Sequence, residues 1–215
     1  MPTVLSTKKL AANQKELLLN SGISLVEYDA IKITYIDFAI EEKQIKNAIF
    51  TSKNAVKAIE GKDLKIGNCF CVGDKTAALL EQNGYSVIEK TQNSAELGKA
   101  LVEYHHEKHF HFFCGNKRRD ELPEILKEHK VNFSEIQVYE TALNPKKFES
   151  DFDGIMFFSP SGVKSFVQEN KIKNTAFCIG STTAEEAAKY TDNILVASKP
   201  GIENVIAKVV AYFKK

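Results

Sequence analysis

Residues 49–57 read Ile-Phe-Thr-Ser-Lys-Asn-Ala-Val-Lys, and residues 156–164 read Met-Phe-Phe-Ser-Pro-Ser-Gly-Val-Lys. The two stretches lie 107 residues apart. Their alignment extends without a gap over 49–104 and 156–211, where 12 of 56 positions are identical. Solenoid repeats have periods of about 20–50 residues, so a period this long indicates a duplicated domain. We therefore expect two similar parts of about 100 residues each.

The residues best retained between the two copies are small and polar. Ser52 corresponds to Ser159, and a second pair of turns shares the pattern Gly-x-x-Thr-Ala at 73–77 and 180–184. Each of these positions follows a predicted strand and precedes a predicted helix. Ligands of open α/β sheets bind at the carboxyl ends of strands, and helix N-termini offer free N–H groups to anions. The alternative is that these serines only cap helices, and both interpretations stay open.

The composition is that of an ordinary globular protein, with 43% hydrophobic residues, 27% charged residues and a net charge of +1. So small a charge argues against nucleic acid as a partner. The first residues lack the apolar stretch of a signal peptide, and no apolar run approaches the ~18 residues that span a bilayer. Four cysteines lie in strand-like apolar runs, which favours a reducing compartment. We expect a cytoplasmic monomer without a membrane segment.

Short apolar strands alternate with helical segments, which predicts parallel sheets covered on both faces. A short β-α-β unit opens the chain, and a similar unit at 110–139 precedes the second copy of the long repeat. Periodicity permits two assemblies. Either two halves follow one another in tandem, or the middle of the chain forms one domain and both ends form the other. In the second case, the β-like segments 28–37 and 138–145 are crossing linkers.

Several familiar signatures are absent from the sequence. Neither Gly-x-x-Thr turn is a Walker loop or a dinucleotide fingerprint, so nucleotide binding is unsupported. Four of the five histidines lie at 105–111, a run that we interpret as a solvated loop between a helix and a strand. No Ser/His/Asp set is evident, and we interpret Cys69 and Cys71 as core residues. We predict no metal site.

Three adjacent cations, Lys117, Arg118 and Arg119, follow a predicted strand. We expect them to open a helix that begins at Arg119. Cations at a helix start oppose the helix dipole, and this misfit suggests an anionic ligand. An exposed basic turn is the alternative interpretation.

Six motifs in order resemble the uroporphyrinogen-III synthase family over nearly the whole chain. They are Phe-Thr-Ser-Lys-Asn-Ala-Val at 50–56, Gly-x-x-Thr-Ala at 73–77, Cys-Gly-Asn-x-x-Arg at 114–119, Val-Tyr-Glu-Thr at 138–141, Phe-Phe-Ser-Pro-Ser-Gly-Val at 157–163 and Ile-Gly-x-Thr-Thr-Ala at 179–184. Each motif alone is weak, but six in this order are specific. The resemblance implies a cofactor-free enzyme that closes hydroxymethylbilane into uroporphyrinogen III, with inversion of ring D and loss of water. It also implies a transient contact with the preceding pathway enzyme.

The resemblance further implies the crossing assembly. Two similar flavodoxin- or Rossmann-like α/β domains would be joined by two β-like connectors, with the active site in the cleft between the domains. The outer domain would then comprise 1–28 and 146–215, and the inner domain 36–137. The connectors would be 29–35 and 138–145.

The resemblance also assigns roles to residues. The family's connector tyrosine, here Tyr139, would donate to the leaving hydroxyl, although packing within a strand is its alternative role. The pyrrole nitrogen drives departure of that hydroxyl, so the main task is to hold a flexible octacarboxylate with backbone N–H groups and hydroxyls. The expected substrate-binding residues are Ser52, Lys53, Thr76, Asn116, Arg119, Ser159, Ser161, Thr182 and Thr183.

One departure from the family pattern lies near the N-terminus. The family usually has an Arg after the first strand, where this chain has Lys8 and Lys9. An ammonium replaces a bidentate guanidinium only imperfectly. The alternative function is a non-catalytic, bilobed binding or regulatory module of the same fold that closes on an anionic ligand.

Overall fold

The computed structural model of the chain describes residues 1–40 and 43–214. The chain folds into two compact units. Unit 1 combines Met1–Lys32 with the residues from Ala142 onward, and unit 2 comprises Ile33–Thr141. The middle of the chain thus forms one unit and its two ends form the other. The domain and connector boundaries that the family resemblance implies stay predictions.

Strands and helices alternate along the chain. Up to the end of the first long repeat, the elements are β1 (Thr3–Ser6), α1 (Ala12–Leu19), β2 (Ser24–Glu27), β3 (Ile31–Tyr35), β4 (Gln44–Phe50), α2 (Lys53–Ile59), β5 (Lys65–Val72), α3 (Asp74–Gln82), β6 (Val87–Thr91) and α4 (Ser94–His105). The remaining elements are β7 (Phe110–Gly115), α5 (Glu121–Glu128), β8 (Phe133–Leu143), β9 (Gly154–Phe157), α6 (Pro160–Val167), β10 (Thr175–Cys178), α7 (Ser181–Ala187), β11 (Ile194–Val196) and α8 (Ile202–Phe213). In the described part of the chain, no helix is both long and apolar enough to cross a membrane.

Each unit is built around one sheet. Unit 1 has the strand order β2-β1-β9-β10-β11, and its strands pair in parallel throughout. Unit 2 has the order β3-β8-β7-β4-β5-β6, in which the five strands from β8 to β6 pair in parallel. The predicted flavodoxin- or Rossmann-like parallel fold is confirmed.

Corresponding strands occupy the same places in the two sheets, but they follow one another along the chain in a different order. Numbered within its unit, the sheet of unit 1 runs 2-1-3-4-5, which is the flavodoxin-like order. Read from β6 and numbered from β4, the sheet of unit 2 runs 3-2-1-4-5, which is the beginning of the Rossmann order. In both sheets the long repeat supplies three neighbouring strands and the short β-α-β unit supplies two. The duplication in the sequence is therefore also a duplication of strand arrangement.

Helices cover both faces of each sheet. In unit 2, Phe113 packs with α2 and α3, while its neighbour Phe112 packs with α4 and α5 on the opposite face. In unit 1, Phe157 packs with α6 and α7, and Met156 packs with α1 and α8. Successive residues of a strand point to opposite faces, so each strand contributes to two core layers. Full burial of a side chain of this size contributes about 1.5–3 kcal/mol, which stabilises each sheet from both sides.

Candidate functional site

The strand order indicates where each sheet would bind a ligand. In open parallel sheets, ligands bind beyond the carboxyl ends of the strands, at the point where the strand order reverses. This switch point lies between β4 and β7 in unit 2, and between β1 and β9 in unit 1. The residues that follow these four strands are therefore the first candidates for a site.

A pocket of about 290 Å³ lies beyond the switch-point strands of unit 2. Three of the predicted site residues line it, namely Ser52, Arg119 and Tyr139. The other lining residues are Thr51, Val72, Gln92, Asn93, Ser94, Phe112, Lys117, Arg118 and Leu122. The pocket combines hydroxyls and cations with apolar side chains, which suits a ligand that carries carboxylates on an apolar frame.

A β-bulge sets the position of Tyr139. Along β7 and β8, the register pairs Cys114 with Gln137 but Gly115 with Tyr139, so Val138 is the additional residue. Val138 and Tyr139 pack against the same core cluster, although consecutive strand residues normally point to opposite faces. The tyrosine is consequently half-buried, with contacts in both the core and the pocket.

The turn between β7 and α5 is fastened to β8 at two points. The Asn116 side chain accepts from the Thr141 N–H at 2.8 Å and donates to the Thr141 carbonyl at 3.5 Å. The Arg118 guanidinium donates to both carboxylate oxygens of Glu135 at 2.8 Å, and it also pairs with Asp120. A bidentate pair of this kind fixes the orientation of the guanidinium. The amide of Asn116 and the charge of Arg118 are therefore both engaged within unit 2.

The prediction that three cations open the helix after β7 is wrong. Helix α5 begins at Glu121, two residues beyond the predicted start, and Glu121 and Glu124 supply the acidic first turn that the helix dipole favours. Arg118 is neutralised by its carboxylate partners. Lys117 and Arg119 are exposed, and neither pairs with a carboxylate among the residues that the structure describes. These two cations are therefore available to an anion at the pocket.

The other predicted residues of unit 2 lie at helix starts. Ser52 caps α2, and its Oγ accepts from the Asn54 N–H at 3.2 Å, while Lys53 is the exposed first residue of that helix. Thr76 is buried in the first turn of α3 and does not line the pocket. Gly73 precedes this helix with φ of 85°, a conformation that glycine adopts without strain. The Ser52 hydroxyl accepts from the backbone with its oxygen, and its O–H can also donate to another acceptor.

Unit 1 repeats this pattern at its own strand ends. Ser159 caps α6 by accepting from the Gly162 N–H at 3.0 Å, and Ser161 lies half-buried in the same turn. In the first turn of α7, Thr182 is exposed and Thr183 is buried. The serines that the two copies share are thus helix caps in both units.

The sequence analysis missed Thr7, which lies at the switch point of unit 1. Thr7 follows β1, is buried, and donates its hydroxyl to the Met156 carbonyl at 2.7 Å. A methyl group on Gly162 would lie 3.4 Å from both Thr7 Oγ1 and Ser159 Oγ, so Thr7 borders the first turn of α6. Its position directly after a predicted strand was the only signal in the sequence.

Lys8 and Lys9 follow in the same segment of unit 1, where the resemblance expects an Arg. The Lys9 ammonium lies 4.0 Å from the Asp29 carboxylate, with 69% of the Lys9 side chain and 47% of the Asp29 side chain exposed. An exposed pair of this kind contributes at most about 1 kcal/mol. Both lysines are therefore accessible to solvent and to a ligand.

The cysteines and histidines build no separate reactive centre in the described ranges. All four cysteines are free and buried, which confirms the predicted core role of Cys69 and Cys71. Burial raises the pKa of the Cys69 and Cys178 thiols to about 12, and that of the Cys71 and Cys114 thiols to about 11. Such thiols stay protonated near neutral pH and are poor nucleophiles. Among the residues described, no group of three or more His, Cys, Asp or Glu side chains could hold a metal ion.

The fold and the pocket define a class of protein: two parallel α/β units that present hydroxyls and cations beyond the carboxyl ends of their strands, with a tyrosine of β8 at the pocket of unit 2. The family model of uroporphyrinogen-III synthase HemD matches residues 13–207, which is most of the chain. The chain therefore belongs to the uroporphyrinogen-III synthase family, as the six motifs indicated.

Individual relatives agree with this assignment. A porphyrin biosynthesis protein HemD of Ruminiclostridium josui is 24% identical over 237 aligned positions, which cover 94% of this chain but only 46% of that protein. The crystal structure of uroporphyrinogen-III synthetase from Helicobacter pylori 26695 has a TM-score of 0.75 at 19% identity, with 99% of this chain and 100% of the other covered. A mutant uroporphyrinogen III synthase of the extremely thermophilic bacterium Thermus thermophilus has a TM-score of 0.65 at 12% identity, with 100% and 99% covered. At these identities, the two solved structures show a common fold.

Proposed function

We propose that this chain closes hydroxymethylbilane into uroporphyrinogen III, with inversion of ring D and loss of water. One observation carries the proposal. Tyr139, the residue that matches the family's connector tyrosine, lines a pocket with Ser52, Lys117 and Arg119 at the switch point of unit 2. Family membership over 13–207 supports the same reaction.

In the proposed reaction, the phenol O–H of Tyr139 donates a hydrogen bond to the hydroxyl of the hydroxymethyl group. The lone pair of the adjacent pyrrole nitrogen expels this hydroxyl, which takes up a proton and leaves as water. The remaining azafulvene is electron-poor at the former hydroxymethyl carbon. Attack by the substituted carbon of ring D on this carbon forms a spiro intermediate. The bond from that ring D carbon to the methylene bridge of ring C then breaks, which leaves a second azafulvene on ring C. The bridge carbon bonds to the free α carbon of ring D, and this α carbon releases its proton as the macrocycle closes with ring D inverted. No step requires a nucleophile from the protein.

The octacarboxylate substrate needs many donors rather than one indispensable side chain. Lys117 and Arg119 would bind carboxylates as exposed cations, and Ser52 would donate its hydroxyl proton. Asn116, whose amide is engaged with Thr141, would contribute by holding β8 in place. We assign the binding of further carboxylates to the remaining accessible residues at helix starts, which are Lys53, Ser159, Ser161 and Thr182. The buried Thr76 and Thr183, which were also expected to bind, would instead stabilise the first turns of α3 and α7.

The setting of the reaction is part of the proposal. We place it in the cytoplasm and without a cofactor, and we expect a transient contact with the enzyme that makes the linear substrate. Direct transfer would limit spontaneous closure to the type I isomer. On the same basis, the outer domain at 1–28 and 146–215 would correspond to unit 1, and the inner domain at 36–137 to unit 2.

The test supplies the purified protein with hydroxymethylbilane and separates uroporphyrinogens I and III after oxidation. We expect a fraction of type III that increases with protein concentration, whereas heat-denatured protein should give type I alone. Formation of type I alone by the native protein would reject the proposal. That outcome would favour a non-catalytic module that binds an anionic ligand.

A further inference from the structure

Gly115, the last residue of β7, lies against the aromatic ring of Tyr139. A methyl group on Gly115 would overlap Cε2 and Cζ of this ring and would lie 3.0 Å from Cδ2. Favourable contacts between carbon atoms require about 3.5–4.0 Å. The ring therefore occupies the space that any side chain at position 115 would fill.

Backbone conformation does not explain the glycine at this position. Gly73 and Gly84 adopt φ values of 85° and 80°, whereas Gly115 is not in this left-handed region. A residue with a side chain could adopt its backbone conformation without strain. Glycine normally weakens a strand interior, and it often marks a close approach of another group. The requirement at position 115 is therefore one of space.

The tyrosine cannot easily avoid a larger residue by a shift of its strand. Arg118 donates hydrogen bonds to Glu135, which lies four residues before the tyrosine. Asn116 accepts a hydrogen bond from Thr141, which lies two residues after the tyrosine. Strand β8 is thus tied to the turn after β7 on both sides of Tyr139. A methyl group at position 115 would consequently move the ring itself.

We propose that Gly115 is a positioning residue for the reaction, because its lack of a side chain seats the Tyr139 ring so that its phenol O–H faces the pocket. This inference rests on the proposed function. Relief of the overlap requires a ring displacement on the order of 1 Å, and a misplacement of this size costs about 100-fold in rate. The loss falls on kcat, while KM changes little, because the cations and hydroxyls that bind carboxylates remain in place.

The first experiment compares Gly115→Ala with Gly98→Ala, a matched control in the same unit. A methyl group on Gly98 would lie 2.9 Å from Cγ2 of Ile125, and Gly98 does not line the pocket. Both variants crowd a packed neighbour, so both should lower the unfolding temperature. Only Gly115→Ala should lower kcat about 100-fold. A similar kcat for the two variants would overturn the inference.

A second pair of variants separates displacement of the ring from a general defect. In a Tyr139→Ala background the ring is gone, so adding Gly115→Ala should leave the residual kcat unchanged within about twofold. A further large fall in kcat would mean that Gly115 acts through a group other than the tyrosine. The inference would then be wrong.

A third readout follows the ring independently of turnover. In protein labelled with ring-¹³C tyrosine, the NMR signal of Tyr139 is identified by its loss in Tyr139→Phe. Gly115→Ala should shift this signal, and Gly98→Ala should leave it in place. An unmoved signal overturns the inference even where wild-type protein forms type III. Wild-type protein that forms no type III rejects the proposed function first and the inference with it, so the two failures are distinguishable.

Discussion

The two units carry a tyrosine at corresponding places, and the two tyrosines have different surroundings. Tyr28 directly follows β2, the strand next to β1, and Tyr139 lies in β8, the strand next to β7. Tyr28 is buried with its ring centroid 5.1 Å from that of Phe148, and burial raises its pKa to about 12. Tyr139 is half-buried, lies against Gly115 and lines the pocket.

The two tyrosines also differ in the strand pairing beside them. The pairing of β1 with β2 is regular from Thr3 to Ser6, whereas the pairing of β7 with β8 shifts before Gly115. The shared serines cap helices in both units, so the duplicated helix starts are alike. The comparison teaches that one additional residue in a strand can separate a core tyrosine from a tyrosine that lines a pocket while the surrounding scaffold stays the same.

Removal of the two phenol oxygens is the most direct way to break this comparison. Tyr139→Phe should lower kcat for type III formation by about 100-fold or more, because the proposed donor to the leaving hydroxyl is lost. Tyr28→Phe should leave kcat within about twofold, since that hydroxyl lies in the core of unit 1. Kinetics with hydroxymethylbilane and circular dichroism of both variants provide the measurement. Equal kcat values for the two variants would remove Tyr139 from the mechanism.

The exposed cations that follow β7 in unit 2 and β1 in unit 1 give a second contrast between the units. Arg119→Gln should raise KM for hydroxymethylbilane by about tenfold, because a charge-assisted hydrogen bond to a carboxylate is worth roughly 1.5–3 kcal/mol. Lys9→Gln should have a smaller effect, since Lys9 already lies 4.0 Å from Asp29. Both effects should decrease at high salt, which screens exposed charges. A larger KM change for Lys9→Gln than for Arg119→Gln would contradict the proposal that the cations of unit 2 contribute more to substrate binding.

The shared helix caps should respond alike in the two units. Ser52→Ala and Ser159→Ala each remove an oxygen that accepts from the first helical turn. Each should lower the free energy of unfolding by about 1 kcal/mol, as measured by denaturant titration. Ser52→Thr and Ser159→Thr are the controls, because threonine can also cap a helix. If only one of the two alanine variants lost stability, the helix starts of α2 and α6 would not be equivalent.

The smallest expected contrast between the units is in the pH dependence of their stability, because all five histidines lie in unit 2. Burial and the nearby Lys108, whose ammonium is 2.9 Å from the ring, lower the pKa of His105, while Glu89 acts in the opposite direction. The unfolded chain, with a histidine pKa of about 6.5, then binds protons more readily than the folded unit. The contribution of His105 to stability is therefore present above about pH 6.5 and is lost as the pH falls below it.

This contrast can be measured by hydrogen exchange of each unit between about pH 7.5 and 5.5. His105→Gln should flatten the pH dependence of unit 2 and leave that of unit 1 unchanged. A pH slope in unit 2 that is the same with and without His105 would contradict the assignment.

Local structure was largely predictable, whereas the assembly was not. A short β-α-β unit was predicted at the start of the chain, and β1, α1 and β2 form it. Apolar periodicity reports which face of an element is buried, but it does not identify the neighbouring strand. The pairing of Val4 with Gly154 joins positions far apart in the chain, and no local pattern contains it. The choice between the tandem and crossing assemblies therefore required the family resemblance.

The candidate site shows the same limit at the level of side chains. Arg118 follows a strand as Arg119 does, but it is neutralised by Glu135 on a different strand. The bulge at Val138 has no local signature, since valine is an ordinary strand residue. Ser52 was recognisable because a serine between a strand and a helix has few other roles. Contacts between elements, and not the elements themselves, were the missing information.

Unit 1 cannot be completed until β9 has been synthesised. The neighbour β2 follows β1 closely in the sequence, but the other neighbour of β1 begins only at Gly154. At about 5–20 residues per second, that side of β1 waits on the order of ten seconds for its partner strand. Unit 2 is continuous in sequence and ends at Thr141, so all of it is synthesised before β9. β1 therefore keeps one unpaired edge while unit 2 is synthesised, and an unpaired strand edge is where association with another chain is most easily initiated.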